Sequence, residues 1–212
     1  MYLPKHFEQT DRAELARLIA DRPLATLVTH DDAGVVTADL IPLIYDGAIG
    51  EHGLLRGHVA RANPLWRHAA GQDVLAIFHG PQAYITPSWY PSKAATAKVV
   101  PTWNYTVVHA RGRLRAIEDA PWLYALVSEL TGIHESPHAH PWAVTDAPDD
   151  YVQQMLRAIV GFEIELTQLI GKWKVTQNRS EADRLGVVAG LAGEAGDEAA
   201  AMRALVRGSD SA

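Results

Sequence analysis

Two short runs, Leu24 to Thr29 and Val35 to Ile41, are separated by little more than Asp31-Asp32-Ala33-Gly34. Alternation of apolar and polar residues over such lengths reads as a strand, and a turn this tight makes the two neighbours pair antiparallel. The same pattern recurs at Leu54 to Val59, Asp73 to Phe78, Ala83 to Thr86, Thr102 to Ala116 and Phe162 to Leu169. Gly80-Pro81 separates the run ending at Phe78 from that starting at Ala83, Gly112 suggests a bulge in the run starting at Thr102, and Gly171 is read as the end of the last. Seven or so short strands with few helices between them restrict the chain to a mainly β, α+β fold. The expected architecture is a closed or split antiparallel β-barrel decorated by helices.

The helices announce themselves by their starts. Asp11 with Glu14 precedes an apolar stripe of Leu15, Leu18 and Ile19, and Pro23 stops that helix near Arg22. Asn63 caps a short helix with Pro64 in its first turn, and Asp119 does the same for a longer one with Pro121. A further helix is expected over about 149–160, and two more in the alanine-rich tail at about 181–189 and 197–207, before a frayed Gly-Ser-Asp end. Gly47 to Gly53 has the spacing G-x-x-G-x-x-G with no long helix behind it, which makes it a hairpin loop rather than a dinucleotide fingerprint. Without a repeat or a long linker, residues 1–190 are expected to form one domain and 191–212 a helical tail.

Composition excludes several chemistries. The 212 residues contain no cysteine, so there are no disulfides, thiolate nucleophiles or zinc–thiolate sites. A net charge of −6 gives no broad footprint for nucleic acid. With neither a signal-like apolar core at the start nor a run of membrane-spanning length, a cytoplasmic soluble protein is expected. His134-Glu135-Ser136-Pro137-His138 spells the H-E-x-x-H of zinc proteases, but Pro137 within the span removes a helical donor and clashes with the preceding turn. These histidines read as loop residues, and no metal is expected. Neither a G-x-S-x-G elbow nor a Walker A loop occurs, and no catalytic residue is identified.

Three stretches concentrate polar groups. Ser88-Trp89-Tyr90-Pro91-Ser92-Lys93 and Val99-Val100-Pro101-Thr102-Trp103-Asn104-Tyr105 interleave aromatic rings with hydroxyl, amide and ammonium groups around a segment, Ala94 to Lys98, that has neither helical nor strand patterning. That mixture suits a wall for a planar, polar-edged ligand and equally an interface between subunits. Arg56-Gly57-His58-Val59-Ala60-Arg61-Ala62-Asn63-Pro64 runs from a strand into a helix start and can offer cations and N–H groups to a phosphate; solvated arginines on a capped helix are the alternative. Lys172-Trp173-Lys174-Val175-Thr176-Gln177-Asn178-Arg179 can contact phosphate or the edges of a ring, or can be a solvated edge strand.

Taken together, these motifs resemble one family. Met1-Tyr2-Leu3-Pro4-Lys5-His6-Phe7, Gly57 to Pro64, Tyr84-Ile85-Thr86-Pro87-Ser88-Trp89-Tyr90, Lys93, Val100 to Tyr105, and Gly171 to Lys174 with Gln177-Asn178-Arg179 are similar, in order, to the PaiB-like FMN-binding negative transcriptional regulators. Thr176 stands where that family's pattern has serine, which keeps the hydroxyl. The resemblance implies an FMN-binding split β-barrel, related to the pyridoxamine-phosphate oxidase and flavin reductase barrels, that pairs as a homodimer with FMN at the interface. It implies His58, Arg61 and Asn63 on the phosphate side. Trp103, Asn104, Tyr105, Lys174, Gln177, Asn178 and Arg179 are implied for the rest of the site. Two functions follow: a regulator of transcription, with DNA as a weakly supported partner, or a flavin-dependent oxidoreductase using a nicotinamide donor. A barrel binding neither flavin nor DNA is the third reading.

Overall fold

The computed structural model describes residues 1–31 and 33–209. Asp32, in the expected turn, and Asp210, in the expected frayed end, lie outside the described residues. The strands are β1 (Glu8–Gln9), β2 (Leu24–His30), β3 (Val36–Pro42), β4 (Ile44–Asp46), β5 (Leu54–Ala60), β6 (Asp73–Ile85), β7 (Thr102–Ile117) and β8 (Ile159–Lys174). The helices are α1 (Arg12–Asp21), α2 (Leu65–His68), α3 (Ser92–Thr96), α4 (Ala120–Glu135), α5 (Asp149–Arg157), α6 (Glu181–Ala192) and α7 (Asp197–Gly208). The fold is α+β, built on one eight-stranded sheet of order β3-β2-β6-β7-β8-β5-β4, with β1 pairing β8 off this path. The pairs β2–β3, β2–β6, β4–β5, β5–β8 and β1–β8 are antiparallel. Among the described residues no helix is long and apolar enough to cross a membrane.

The chain divides into two units. One comprises Ile19–Phe78 and His109–Leu169. Its interior is made by inward residues of the alternating strands, with Leu27, Leu55, Phe78, Leu114, Phe162 and Ile164 fully buried. α4 covers one face of β5 and β8. Asp119 caps it by accepting from the Trp122 N–H at 2.8 Å, as the Asp-x-Pro start predicts. Gly161 makes room for the Trp122 ring, 2.2 Å from where a Cβ would stand, and Arg56 holds Glu129 of the same helix in a two-armed ion pair at 2.7 and 2.9 Å. α4 ends at Glu135, so His138 lies beyond the helix that holds His134.

The other unit comprises Met1–Leu18, His79–Val108 and Ile170–Ala212. Leu15, Ile85, Trp173, Val187, Leu191 and Met202 are buried in it. Here the α6–α7 tail packs on the turn at Pro87–Trp89. A Cβ at Gly190 would stand 2.2 Å from the Trp89 ring, and one at Gly186 would stand 2.0 Å from its carbonyl oxygen. Glu198 of α7 accepts the Gln82 N–H at 3.0 Å.

Several expected boundaries move. β6 is one strand rather than two, because Gly80 fits the sheet by admitting Thr106 Oγ1 where its own Cβ would be. Gly171 does not end β8: it pairs with Gln9, and its missing Cβ leaves space for Leu15 and Trp173. α5 stops at Arg157, and Ile159 and Val160, expected within this helix, open β8 instead. The segment Ala94 to Lys98, expected to have neither helical nor strand patterning, begins within α3, which Ala97 closes in the left-handed region at φ +54°.

Candidate functional site

The end of β8 gathers cations. Lys172 and Lys174 both lie within cation–π range of the Tyr105 ring, at 5.3 and 6.0 Å from its centroid. Lys174 Nζ donates to Thr102 Oγ1 and to the Trp103 carbonyl, which ties the end of β8 to the start of β7. Lys172 is buried and donates to the Tyr2 carbonyl at 3.1 Å. Arg179 stands over the Tyr90 ring at 5.1 Å. Burial lowers the Lys174 ammonium pKa below the ordinary lysine value, and the charges of Lys172 and Arg179 lower it further. An arriving anion would reverse both effects of those neighbours.

The flanking polar residues have structural tasks. Asn104, 1% exposed, donates from Nδ2 to Thr176 Oγ1 at 2.6 Å. Thr176 has φ +70°, a conformation that costs a β-branched residue of order 1–3 kcal/mol, and the Asn104 bond holds it there. Gln177 accepts the Val175 N–H at 2.8 Å through Oε1 and donates through Nε2 to the carbonyls of Trp173 and His6. Asn178, next in the chain, is exposed. Trp103 and Tyr84, 54% and 48% exposed, form an edge-to-face pair with centroids 5.9 Å apart. Of the aromatic stretches expected to form a wall, Trp103 is exposed next to the residue bonded by Lys174 and Tyr105 is half-buried, whereas Tyr90 is buried and Trp89 packs against α6.

The chain on either side of Tyr90 is held by polar contacts. Buried Asp183 accepts the Ser92 N–H at 3.1 Å and its hydroxyl at 2.8 Å. Burial raises the Tyr90 hydroxyl pKa, and the adjacent Arg179 guanidinium opposes that rise. Lys93 Nζ donates to Ser88 Oγ at 3.3 Å. Asp183 lies outside the stretches expected to form the site, and Ser92 and Lys172 lie within them without being assigned a contact. Only Lys172 had a visible signal, its two-residue spacing from Lys174 on one strand.

His58, Arg61 and Asn63 belong to the other unit. Arg61 is engaged: Nε donates to the Arg157 carbonyl at 2.8 Å, Nη2 to the Ile159 carbonyl at 3.1 Å, and Nη1 pairs with Glu118. Asn63 donates to Asp39 at 3.1 Å and accepts the Leu65 N–H at 2.9 Å, the capping role expected of it. His58 differs from both. Its Nδ1 is buried with no hydrogen-bond partner among the described residues, and burial lowers its pKa, which favours the neutral ring.

Comparison with known proteins places the chain in a family. The family described as "Putative FMN-binding domain" matches residues 1–168. Protease synthase and sporulation protein PAI 2 of Bacillus subtilis is 33% identical over 210 residues, covering 97% of this chain and 96% of that protein. An uncharacterized protein of Emericella nidulans is 32% identical, with 90% of each chain covered. Among solved structures, an FAD and heme binding protein from Mycobacterium smegmatis superposes with a TM-score of 0.55 at 15% identity, over 79% of this chain and 73% of that one. The flavocytochrome Anf3 from Azotobacter vinelandii does so at 0.54 and 12%, over 81% and 72%. At such identities the likeness is one of fold.

Proposed function

The chain belongs to the PaiB-like family of FMN-binding proteins, and on that premise we propose that it is an FMN-binding homodimer acting in negative transcriptional regulation. The observation that carries the cofactor reading is the cation cluster at the end of β8. Lys174, disfavoured as an ammonium by burial and by Lys172 and Arg179, gains from any ligand oxygen bearing negative charge. FMN offers such oxygens in its phosphate and along the carbonyl edge of its ring, so the donor set fits the cofactor. Lys174, Arg179 and the exposed Asn178 are the proposed polar contacts, and Trp103 and Tyr105 the proposed aromatic ones. Asn104 and Gln177 hold the backbone between them. His58, Arg61 and Asn63 lie in the other unit and are kept apart from this set: Arg61 and Asn63 hold the chain that follows β5, and His58 on β5 is proposed separately as a ligand contact.

Bound FMN supplies reversible hydride and electron uptake. The chain's part is to provide fixed positive charge at Lys172, Lys174 and Arg179, which favours any state in which the ligand is more negative. That same field supports a second reading, an oxidoreductase with a nicotinamide donor.

Titration of FMN into the purified protein tests the cofactor reading. Quenching of flavin fluorescence is expected, and Lys174→Met should weaken affinity by roughly 10- to 100-fold, the range for losing a charged hydrogen bond. Wild-type protein that leaves FMN fluorescence unchanged would sink the cofactor reading; an unaltered affinity in the variant would remove the β8 cluster from the site. Retention of DNA that weakens steeply with salt supports the regulator, and NADH oxidation by the loaded protein supports the enzyme.

A further inference from the structure

The first residues of the chain lie against the end of β8, in the same unit as the cation cluster. Glu8 and Gln9 pair with Lys172 and Gly171, Phe7 is buried, and the His6 carbonyl accepts from Gln177 Nε2 at 3.1 Å. Ahead of these anchors, the Tyr2 carbonyl accepts from Lys172 Nζ at 3.1 Å, and the Tyr2 ring centroid stands 5.7 Å from the same nitrogen. The Tyr105 ring stands at 5.3 Å, so one carbonyl and two aromatic faces share a single ammonium.

The two residues differ sharply in burial. Lys172 is only 7% exposed, which is rare for a lysine because the ammonium must exchange water for other partners. Tyr2 is 84% exposed, so packing of its own ring does not account for where it sits. What Tyr2 contributes is the replacement for the water that Lys172 has lost. The charge so held is felt by its neighbour, since Lys172 is one of the two cations that disfavour the Lys174 ammonium. A lysine released to solvent would be screened within about 8 Å at physiological salt, whereas a buried one is screened much less.

We propose that Tyr2 is a positioning residue of the β8 anion site: its carbonyl and ring hold the Lys172 ammonium beside Tyr105, so that the cluster presents a fixed charge to the ligand. The proposal rests on the FMN reading above and adds to that site a residue 170 positions away in the chain.

FMN fluorescence quenching by the full chain, wild type against Tyr2→Phe, Tyr2→Ala, Lys172→Met and the double variant Tyr2→Ala with Lys172→Met, tests it. Phenylalanine keeps both the ring and the carbonyl, so Tyr2→Phe should bind within about twofold of wild type. Tyr2→Ala should bind about three- to tenfold more weakly, the range for losing a partly desolvated cation–π contact. Beside Lys172→Met, Tyr2→Ala should cost nothing further, because its effect runs through that ammonium. A second measurement needs neither FMN nor a Lys172 variant. Acylation of the Lys172 amine by a water-soluble reagent, read by mass spectrometry, should be slow in wild type and Tyr2→Phe and several-fold faster in Tyr2→Ala. An unchanged acylation rate or an unchanged FMN affinity in Tyr2→Ala would overturn the proposal. So would a loss of affinity that Tyr2→Phe shares, or one that persists in full beside Lys172→Met. Wild-type protein that binds no FMN would overturn the cofactor reading alone, and the acylation rates would then decide whether Tyr2 holds Lys172.

Discussion

A neutral histidine with a buried, unpartnered nitrogen makes a protein sensitive to acid. Burial lowers the His58 pKa below the ordinary 6.5, so the unfolded chain takes up the proton first as pH falls. The stability associated with a neutral His58 is fully present above about 6.5 and is lost as pH drops towards and through the lower folded value. Thermal unfolding followed from pH 7.5 to 5 should show this loss in the wild type, and His58→Gln should flatten it (approximate limits bracketing the histidine range). An identical pH profile in the variant would mean that other groups set the acid limit. At this scale the residue types of the site were legible but their states were not. Asn104 and Gln177 read as ligand contacts because they are polar beside aromatics; their partners, Thr176 and the His6 carbonyl, are 72 and 171 residues away. The peculiarity of Thr176 was equally hidden, since left-handed backbone there depends on a bond made from β7.

At the scale of elements, glycines were the least legible residues. Gly80 and Gly171 have the local look of strand breaks, and each instead lets a neighbouring side chain approach a continuous strand. Start signals read well, because Asp119 and Asn63 act on backbone only two or three residues ahead. In the tail, Gly186 and Gly190 sit one turn apart on α6 and receive Trp89, and Asp183 a turn earlier receives Ser92. Gly190→Ala adds good helix propensity but places a methyl against the Trp89 ring. It should therefore destabilise the protein by roughly 1–3 kcal/mol, the cost of overpacking, instead of stabilising it. A lower unfolding temperature with altered tryptophan fluorescence is the expected reading; a higher temperature would show that the turn at Pro87–Trp89 yields freely.

For the whole molecule, the fold class followed from strands separated by turns, and its composition of two units did not. One unit draws on the first residues, the middle and the end of the chain, an arrangement that no local pattern records. If FMN binds the native protein and not the unfolded chain, saturating FMN should raise the unfolding temperature by several degrees at about 100 times its dissociation constant, and Lys174→Met should abolish most of that rise. Differential scanning calorimetry with and without the cofactor would check it; an equal rise in the variant would place the cofactor elsewhere.

β8 continues to Lys174, whereas the family match stops at residue 168. A fragment cut at that limit would contain all that the family description matches, yet lack Lys172, Lys174 and Arg179 as well as the strand end that pairs with Glu8 and Gln9, although the Bacillus subtilis relative matches 97% of the chain. The stretch that the family description matches and the proposed ligand residues are thus separate, with the boundary falling inside β8. A shortened chain ending at residue 168 should therefore lose FMN binding if the proposed contacts at Lys174 and Arg179 hold the cofactor, and FMN quenching by such a fragment would place the cofactor elsewhere.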